Sequence, residues 1–178
     1  MKSSYLPFNL QFMCNRQFHY NLGTFLHSII KGKGINISIL IIASQLYLGK
    51  DCIPKDDELC IPIVNLIMDA GKKSFESCHH ETAYTYLEAA TSLLPIYCWE
   101  RYHDISLRLY FLTANAANGC CKYDKAETIL KKILSEGCCV EDKLPSYYLL
   151  SQSKLQKILT WYWLSEDFDF VLLSHHHN

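Results

Sequence analysis

The chain has 178 residues, 49% of them hydrophobic, which is long and apolar enough to bury a core and excludes a disordered chain. Its 17 basic residues nearly balance 18 acidic ones and are spread evenly, so the basic stripe of a nucleic-acid-binding protein is missing. The nine cysteines are an odd number, and residues 1–10 do not resemble a secretory signal. We therefore expect a cytoplasmic protein with free thiols.

The most apolar stretch, residues 35–48, contains four polar residues and is shorter than the ~20 residues that span a bilayer. We interpret it as a buried helix, and we expect neither a membrane segment nor a membrane partner.

In chain order, residues 1–15 contain Pro7 and no clear period, and are predicted to be a loose lead-in. Apolar residues then recur at helical spacing in a single domain over residues 16–160. The predicted helices cover residues 16–31, 36–48, 59–75, 80–94, 99–118, 122–135 and 145–160. The pattern ends after Thr160, and residues 161–178 are predicted to be an irregular tail. No stretch alternates with the period of a β-strand, so the predicted class is all-α.

One helical-hairpin pattern occurs twice, with an offset of 43 residues. In the first copy Gly71 is followed by Ala83 and Leu87, and in the second Ala114 is followed by Ala126 and Leu130. Small residues twelve positions apart, one on each helix, allow two antiparallel helices to approach closely. The pattern is typical of tetratricopeptide repeats, although the offset exceeds their usual ~34 residues. It predicts a right-handed solenoid of about seven helices in stacked antiparallel hairpins.

Motifs that would indicate an enzyme are missing from the sequence. The stretch Lys31-Gly32-Lys33-Gly34 lacks the spacing, the preceding strand and the Ser or Thr of a phosphate-binding loop, and is interpreted as a helix end. No nucleophile motif such as G-x-S-x-G occurs. We therefore expect no catalytic residue, no nucleotide and no other cofactor.

Two cysteine pairs, Cys120-Cys121 and Cys138-Cys139, are candidates for a four-thiolate zinc site. Zinc ligands are usually two to four residues apart, and a helix of about 25 Å separates these pairs, so we expect independent thiols and no metal site. His103 has only Glu100 nearby on its own helix and is interpreted as a surface or half-buried histidine.

The chain is rich in aromatic residues, with twelve Tyr, eight Phe and three Trp. Most of them are expected to fill the core between long helices. Three are candidates for anchors in a partner-binding groove: Tyr84, Trp99 and Tyr147.

Strings of residues in both copies, and one string ahead of them, resemble the helical region of large multidomain signalling kinases. They are residues 45–53, 69–73, 83–90, 93–95, 99–102, 114–117 and 123–127. In that family a Ser/Thr-kinase-like head and an AAA/STAND-type ATPase precede a tetratricopeptide-like array, and GAF and histidine-kinase domains often follow it. The resemblance covers residues 19–155 and implies a sensor or scaffold region without catalytic residues of its own.

These observations favour a non-catalytic helical scaffold that contacts kinase or ATPase domains, or peptide segments, in signal transduction. One alternative is a regulatory fragment of a multidomain ATPase or histidine kinase whose catalytic domains are not in this chain. A thiol-based metal or redox sensor is a further alternative, supported only by the number of cysteines.

Overall fold

A computed structural model describes the backbone of residues 8–33, 38–55 and 57–175, and the side chains of residues 15–29, 38–55 and 59–163. The described residues form eight α-helices and the short 3-10 helix Lys50–Cys52, without a β-strand, so the all-α prediction is confirmed. The α-helices are α1 (Phe8–Lys33), α2 (Ile39–Leu48), α3 (Asp57–Glu76), α4 (His80–Leu93), α5 (Cys98–Arg101), α6 (His103–Gly119), α7 (Tyr123–Glu136) and α8 (Val140–His175).

The structure corrects the sequence prediction at both ends of the chain. Residues 8–15 belong to α1 rather than to a loose lead-in, and residues 161–175 continue α8 rather than forming an irregular tail. The predicted helix over residues 99–118 is divided into α5 and α6 at Tyr102, where φ is −132°. Residues 1–7, 34–37, 56 and 176–178 lie outside the described residues, and with them parts of the predicted lead-in, of the predicted helix over residues 36–48 and of the predicted tail.

The hairpins α3–α4 and α6–α7 contain the same turn, 43 residues apart. A cysteine occupies the left-handed backbone region in each turn: Cys78 with φ 61° and Cys121 with φ 57°. The amide of the next residue, His79 or Lys122, donates to the carbonyl oxygen five residues earlier at 2.9 Å in both hairpins. This is the hydrogen bond of a Schellman helix end. The offset seen in the sequence is therefore a structural repeat.

Small residues allow the helices of each hairpin to touch. A Cβ atom added to Gly71 would lie 2.6 Å from the Cγ atom of Leu87, so α3 and α4 leave no room for a side chain there. The corresponding residues of the second hairpin, Ala114 and Leu130, are fully buried in one cluster. The matching alanines of the second helices are also fully buried: Ala83 and Ala126.

The helices pack largely in chain order. Each helix contacts the next in the order α1, α2, α3, α4, α6, α7 and α8, and the short α5 lies against α6. Most of the core lies between α2, α3, α4 and α6, and a smaller cluster lies between α6, α7 and α8. Lys122 links the two turns because its Nζ atom donates to Oε2 of Glu81 at 2.7 Å. Among the side chains that the structure describes, neighbours cover the last helix, α8, on one side only.

Candidate functional site

Tyr84, a predicted groove anchor, lies in the core at the junction of the two hairpins. Its side chain is 6% exposed, and its hydroxyl donates to Oε1 of Glu88 at 2.6 Å. The Nζ atom of Lys122 lies 4.4 Å from the ring centroid. Burial raises the pKa of Tyr84, and the hydrogen bond and charge of Glu88 raise it further. Tyr84 is therefore a packing residue and not a surface anchor.

Trp99, the second predicted anchor, lies on α5 at the opposite end of the hairpins from Tyr84. Its half-buried ring packs against Tyr110 and His103, with centroid distances of 5.2 and 5.9 Å. Its Nε1 atom is buried and has no hydrogen-bond partner within the described part of the chain. Trp99 and Tyr84 thus do not share a groove.

Tyr147, the third predicted anchor, lies on α8 and is 57% exposed. It belongs to an uncovered apolar surface along that helix. Side chains on this surface follow one another at steps of four and three residues, which is the spacing of a coiled-coil face. We call this set the α8 stripe: Leu144, Tyr148, Ser151, Leu155, Ile158 and Tyr162. Its five large members are each between 58% and 66% exposed.

The opposite side of α8 is buried and carries smaller side chains. Ser146, Leu149 and Ser153 are 0%, 6% and 2% exposed. The hydroxyl of Ser153 donates to Oδ1 of Asn118 at 2.6 Å, which fixes α8 against the end of α6. The orientation of α8 is thus set by small residues, while its larger apolar side chains face outward.

A cluster of polar side chains lies where the connection from α7 to α8 meets the start of α6. The Nε2 atom of His103 lies 2.9 Å from Oδ2 of Asp142, and the Nδ1 atom of the same ring lies 3.9 Å from Sγ of Cys138. The backbone amides of Cys138 and Cys139 also donate to Oδ2 of Asp142, at 3.0 and 3.4 Å. The imidazole thus lies between a thiol and a carboxylate.

The carboxylate of Asp142 has the most hydrogen-bond partners in this cluster. Its hydrogen bond with His103 is the main reason that the pKa of Asp142 lies below its usual value, and the amides of Cys138 and Cys139 add to this effect. Asp142 is the third residue of α8 and reaches back to the amides ahead of the helix, as a capping residue does. His103, Cys138 and Asp142 offer three ligand atoms within 4.8 Å of one another.

The sequence did not predict this cluster. His103 was expected to have only Glu100 nearby, whereas the structure brings it to Cys138 and Asp142, which are 35 and 39 residues away along the chain. No local spacing signals a contact between residues so far apart. Only an accurate prediction of how α8 packs against α6 could have found it.

The two cysteine pairs lie at opposite ends of α7. Cys120 and Cys121 form the turn before this helix, and Cys138 and Cys139 lie after it. Fourteen residues of helix correspond to roughly 21 Å, which separates the pairs as the sequence predicted. Cys138 lies beside His103, and Cys120 packs against the core near Glu81.

Comparisons of this chain with protein-family models, with curated proteins and with solved structures found no match. The resemblance to signalling kinases therefore stays a prediction from sequence. Among the described helices, none combines the length and apolar character that crossing a bilayer requires.

Proposed function

We propose that this chain is a non-catalytic helical scaffold of the tetratricopeptide-like solenoid type, and that the α8 stripe binds an amphipathic helix of a partner protein. The observation that carries the proposal is the uncovered stripe itself. Five large apolar side chains at helical spacing are more than half exposed along one face of α8. Contiguous exposed apolar surface of this kind is typical of protein-interaction sites.

The repeated hairpins support a solenoid. The turns of α3–α4 and α6–α7 have the same left-handed cysteine and the same hydrogen bonds, and the helices pack in chain order. Each repeat of a solenoid buries its apolar faces only against neighbouring repeats. The outer face of α8 is not covered by any of the described helices.

The spacing of the stripe favours a helix as the occupant. Steps of four and three residues keep apolar side chains on one face along the helix axis, where they can fit between the side chains of a second helix. An extended peptide has a repeat of two residues and would not match this spacing. The partner is therefore expected to have an apolar face with the same spacing.

The charge beside the stripe favours an acidic partner. Residues 143–163 contain Lys143, Lys154 and Lys157 and no acidic residue. Lys154 directly precedes the stripe residue Leu155, where it can pair with an acidic residue flanking the apolar face of the partner, as oppositely charged flanks do in coiled coils. Lys157 is already paired with Asp124 of α7. A second copy of the chain would instead bring similarly charged segments together, which disfavours self-association through this face.

The signalling context is part of the same proposal and is supported by the sequence resemblance alone. The partner would then be a cytoplasmic kinase or ATPase of that multidomain architecture. The chain would position this partner without taking part in its chemistry.

The proposal can be tested with two synthetic helical peptides that have the same heptad of Leu and Ile. One carries Glu and the other Lys at the flanking positions. Fluorescence anisotropy should show saturable binding of the Glu peptide and at least tenfold weaker binding of the Lys peptide. The variant Ile158→Lys should lose the binding. The variant Ile96→Lys is the matched control, because Ile96 is 92% exposed in the loop after α4 and lies outside the stripe.

Three outcomes would contradict the proposal. Neither peptide binds, or both bind equally, or Ile158→Lys and Ile96→Lys have the same effect. Analytical ultracentrifugation of the chain alone tests whether a second copy of the chain occupies the α8 stripe. A dimer that Ile158→Lys dissociates would show that the stripe binds a second copy instead of a partner helix.

A further inference from the structure

We propose that Cys138 is a nucleophilic thiol, activated by His103 as proton acceptor and by Asp142 as the residue that orients the imidazole, and that it forms mixed disulfides with low-molecular-weight disulfides. This modification site is separate from the α8 stripe and goes beyond the scaffold function. It rests on the arrangement of the three side chains where α7 leads into α8.

The contacts of Asp142 determine which nitrogen of His103 carries the proton. Oδ2 of Asp142 accepts the backbone N–H groups of Cys138 and Cys139, so this carboxylate is ionised and held in place. Its third neighbour is Nε2 of His103, at 2.9 Å, which must carry a hydrogen to donate to an ionised carboxylate. The neutral ring then has its lone pair on Nδ1.

Nδ1 is the nitrogen that faces Cys138. Its distance of 3.9 Å from Sγ is long for a hydrogen bond, but it leaves no room for another group between the thiol and the imidazole. A thiol beside a histidine whose other nitrogen is held by a carboxylate has the arrangement of an activated nucleophile. Transfer of the thiol proton to Nδ1 gives a thiolate next to an imidazolium, which stabilises the negative charge.

The position of Cys138 favours the reaction of its sulfur atom in two further ways. The residue is exposed, so a small molecule can reach its sulfur atom. It also lies two residues before α8, a helix of 36 residues, whose N-terminal end favours negative charge. The helix end alone would not define a site. Together with His103 and Asp142 it favours the thiolate.

A metal site at this position is less well supported. Oδ2 of Asp142 accepts hydrogen bonds from two amides and lies against the imidazole. A metal ion bound through this oxygen would have to displace those hydrogen bonds, whereas activation of the thiol uses the hydrogen bonds as they are.

The reaction balances without a further reactant. The thiolate of Cys138 attacks one sulfur atom of a disulfide RSSR, a Cys138–SR bond forms, and the RS–SR bond breaks. The leaving thiolate takes the proton from the imidazolium and departs as RSH. The protein thiol is oxidised to the mixed disulfide, and half of the small disulfide is reduced.

The test uses glutathione disulfide and the full chain, reduced beforehand and kept free of oxygen. In the variant Cys139→Ser only Cys138 can react at this position, and in Cys138→Ser only Cys139 can react. Mass spectrometry of peptides measures the rate at each cysteine, and Cys78 is an exposed reference thiol in the same molecule. Cys139 alone is not a sufficient reference, because its pKa is raised and its thiol is therefore less reactive than an ordinary exposed thiol. A backbone hydrogen bond with Asp142 lowers this pKa, but hydrogen bonding to Glu141 and desolvation outweigh that effect.

Cys138 should react at least about threefold faster than Cys139 and Cys78, because His103 accepts its proton and the resulting imidazolium stabilises the attacking sulfur. His103→Gln should reduce the rate of Cys138 to that of Cys78. Asp142→Asn should also slow Cys138 while leaving Cys78 and the helical circular dichroism unchanged. Loss of packing would instead raise the rate at both cysteines.

Equal rates at Cys138 and Cys78 in the Cys139→Ser variant would overturn the proposal, because His103, Cys138 and Asp142 are all retained in this variant. A folded His103→Gln variant with unchanged Cys138 reactivity would also overturn it. Protection of Cys138 by one equivalent of zinc, reversed by a chelator, would show that the cluster is a metal site instead.

Discussion

The two hairpins and α8 differ in the burial of their apolar side chains. In α3–α4 and α6–α7 each apolar face is covered by another helix, and the residues at the closest approach are small. In α8 the buried side is held by Ser146, Leu149 and Ser153, and the larger apolar side chains face solvent. The same kind of helix is thus used for packing in one region and leaves a surface for binding in the other.

This difference predicts that the same substitution, Ile to Lys, lowers the free energy of unfolding strongly in a hairpin and very little in α8. Ile133 on α7 is 0% exposed, and Ile158 on α8 is 65% exposed. Ile133→Lys should cost about 4 kcal/mol or more of the free energy of unfolding, because it buries an unpaired charge. Ile158→Lys should change it by less than about 0.5 kcal/mol. Urea denaturation of both variants gives the comparison, and similar losses would show that α8 is covered in solution.

The close approach inside the hairpins predicts the next largest effect. Replacing Ala83 or Ala126 with Leu should overpack the contact and destabilise the chain by roughly 1–3 kcal/mol. Thr82→Leu and Thr128→Leu, at exposed positions of the same helices, are matched controls and should be nearly neutral. Thermal unfolding followed by circular dichroism measures all four. Unchanged midpoints for both alanine variants would show that the repeat register is wrong.

The shared turn predicts a smaller gain in stability. Cys78 and Cys121 have φ values of 61° and 57°, a region that disfavours side chains and suits glycine. Cys78→Gly and Cys121→Gly should each stabilise the chain by up to about 1 kcal/mol. Replacement by Ala at the same positions retains the strain and should give no gain. If Ala and Gly variants have the same midpoint, these backbone conformations are not strained.

The start of α8 predicts a small dependence of stability on pH. The folded pKa of Asp142 is lowered, so its contribution is fully present above the ordinary carboxylate value of about 4. It is lost as the pH falls through the lower folded value. Asp142→Asn should therefore reduce the thermal midpoint at pH 6 and lie closer to the native chain at pH 2. A constant difference between the two proteins would exclude this linkage.

Local patterns in the sequence were sufficient to predict the helices and the repeat. The helical period, the small residues Gly71 and Ala114 and the 43-residue offset all depend on neighbours along the chain. The end of α8 was missed because Trp161, Tyr162 and Trp163 follow one another, which conceals the helical period. All three side chains are exposed, so the apolar residues there do not mark a single buried face.

Long-range features could not be predicted in the same way. The predicted anchor Tyr84 is core because Lys122 and Glu88 pack around it, and its sequence position does not distinguish a core ring from a surface ring. The contacts of His103 with Cys138 and Asp142 depend on how α6 and α8 pack. Of the three predicted anchors, Tyr147 is the exposed one, and it lies on α8 beside the α8 stripe.

Hydrogen exchange measured by mass spectrometry tests most directly whether α8 is the binding helix of an otherwise covered stack. With saturating Glu-flanked peptide, amides of residues 144–162 should exchange more slowly, while those of α3, α4, α6 and α7 keep their rates. The Lys-flanked peptide should leave every segment unchanged. Protection confined to the hairpins, or spread evenly over the chain, would contradict the account.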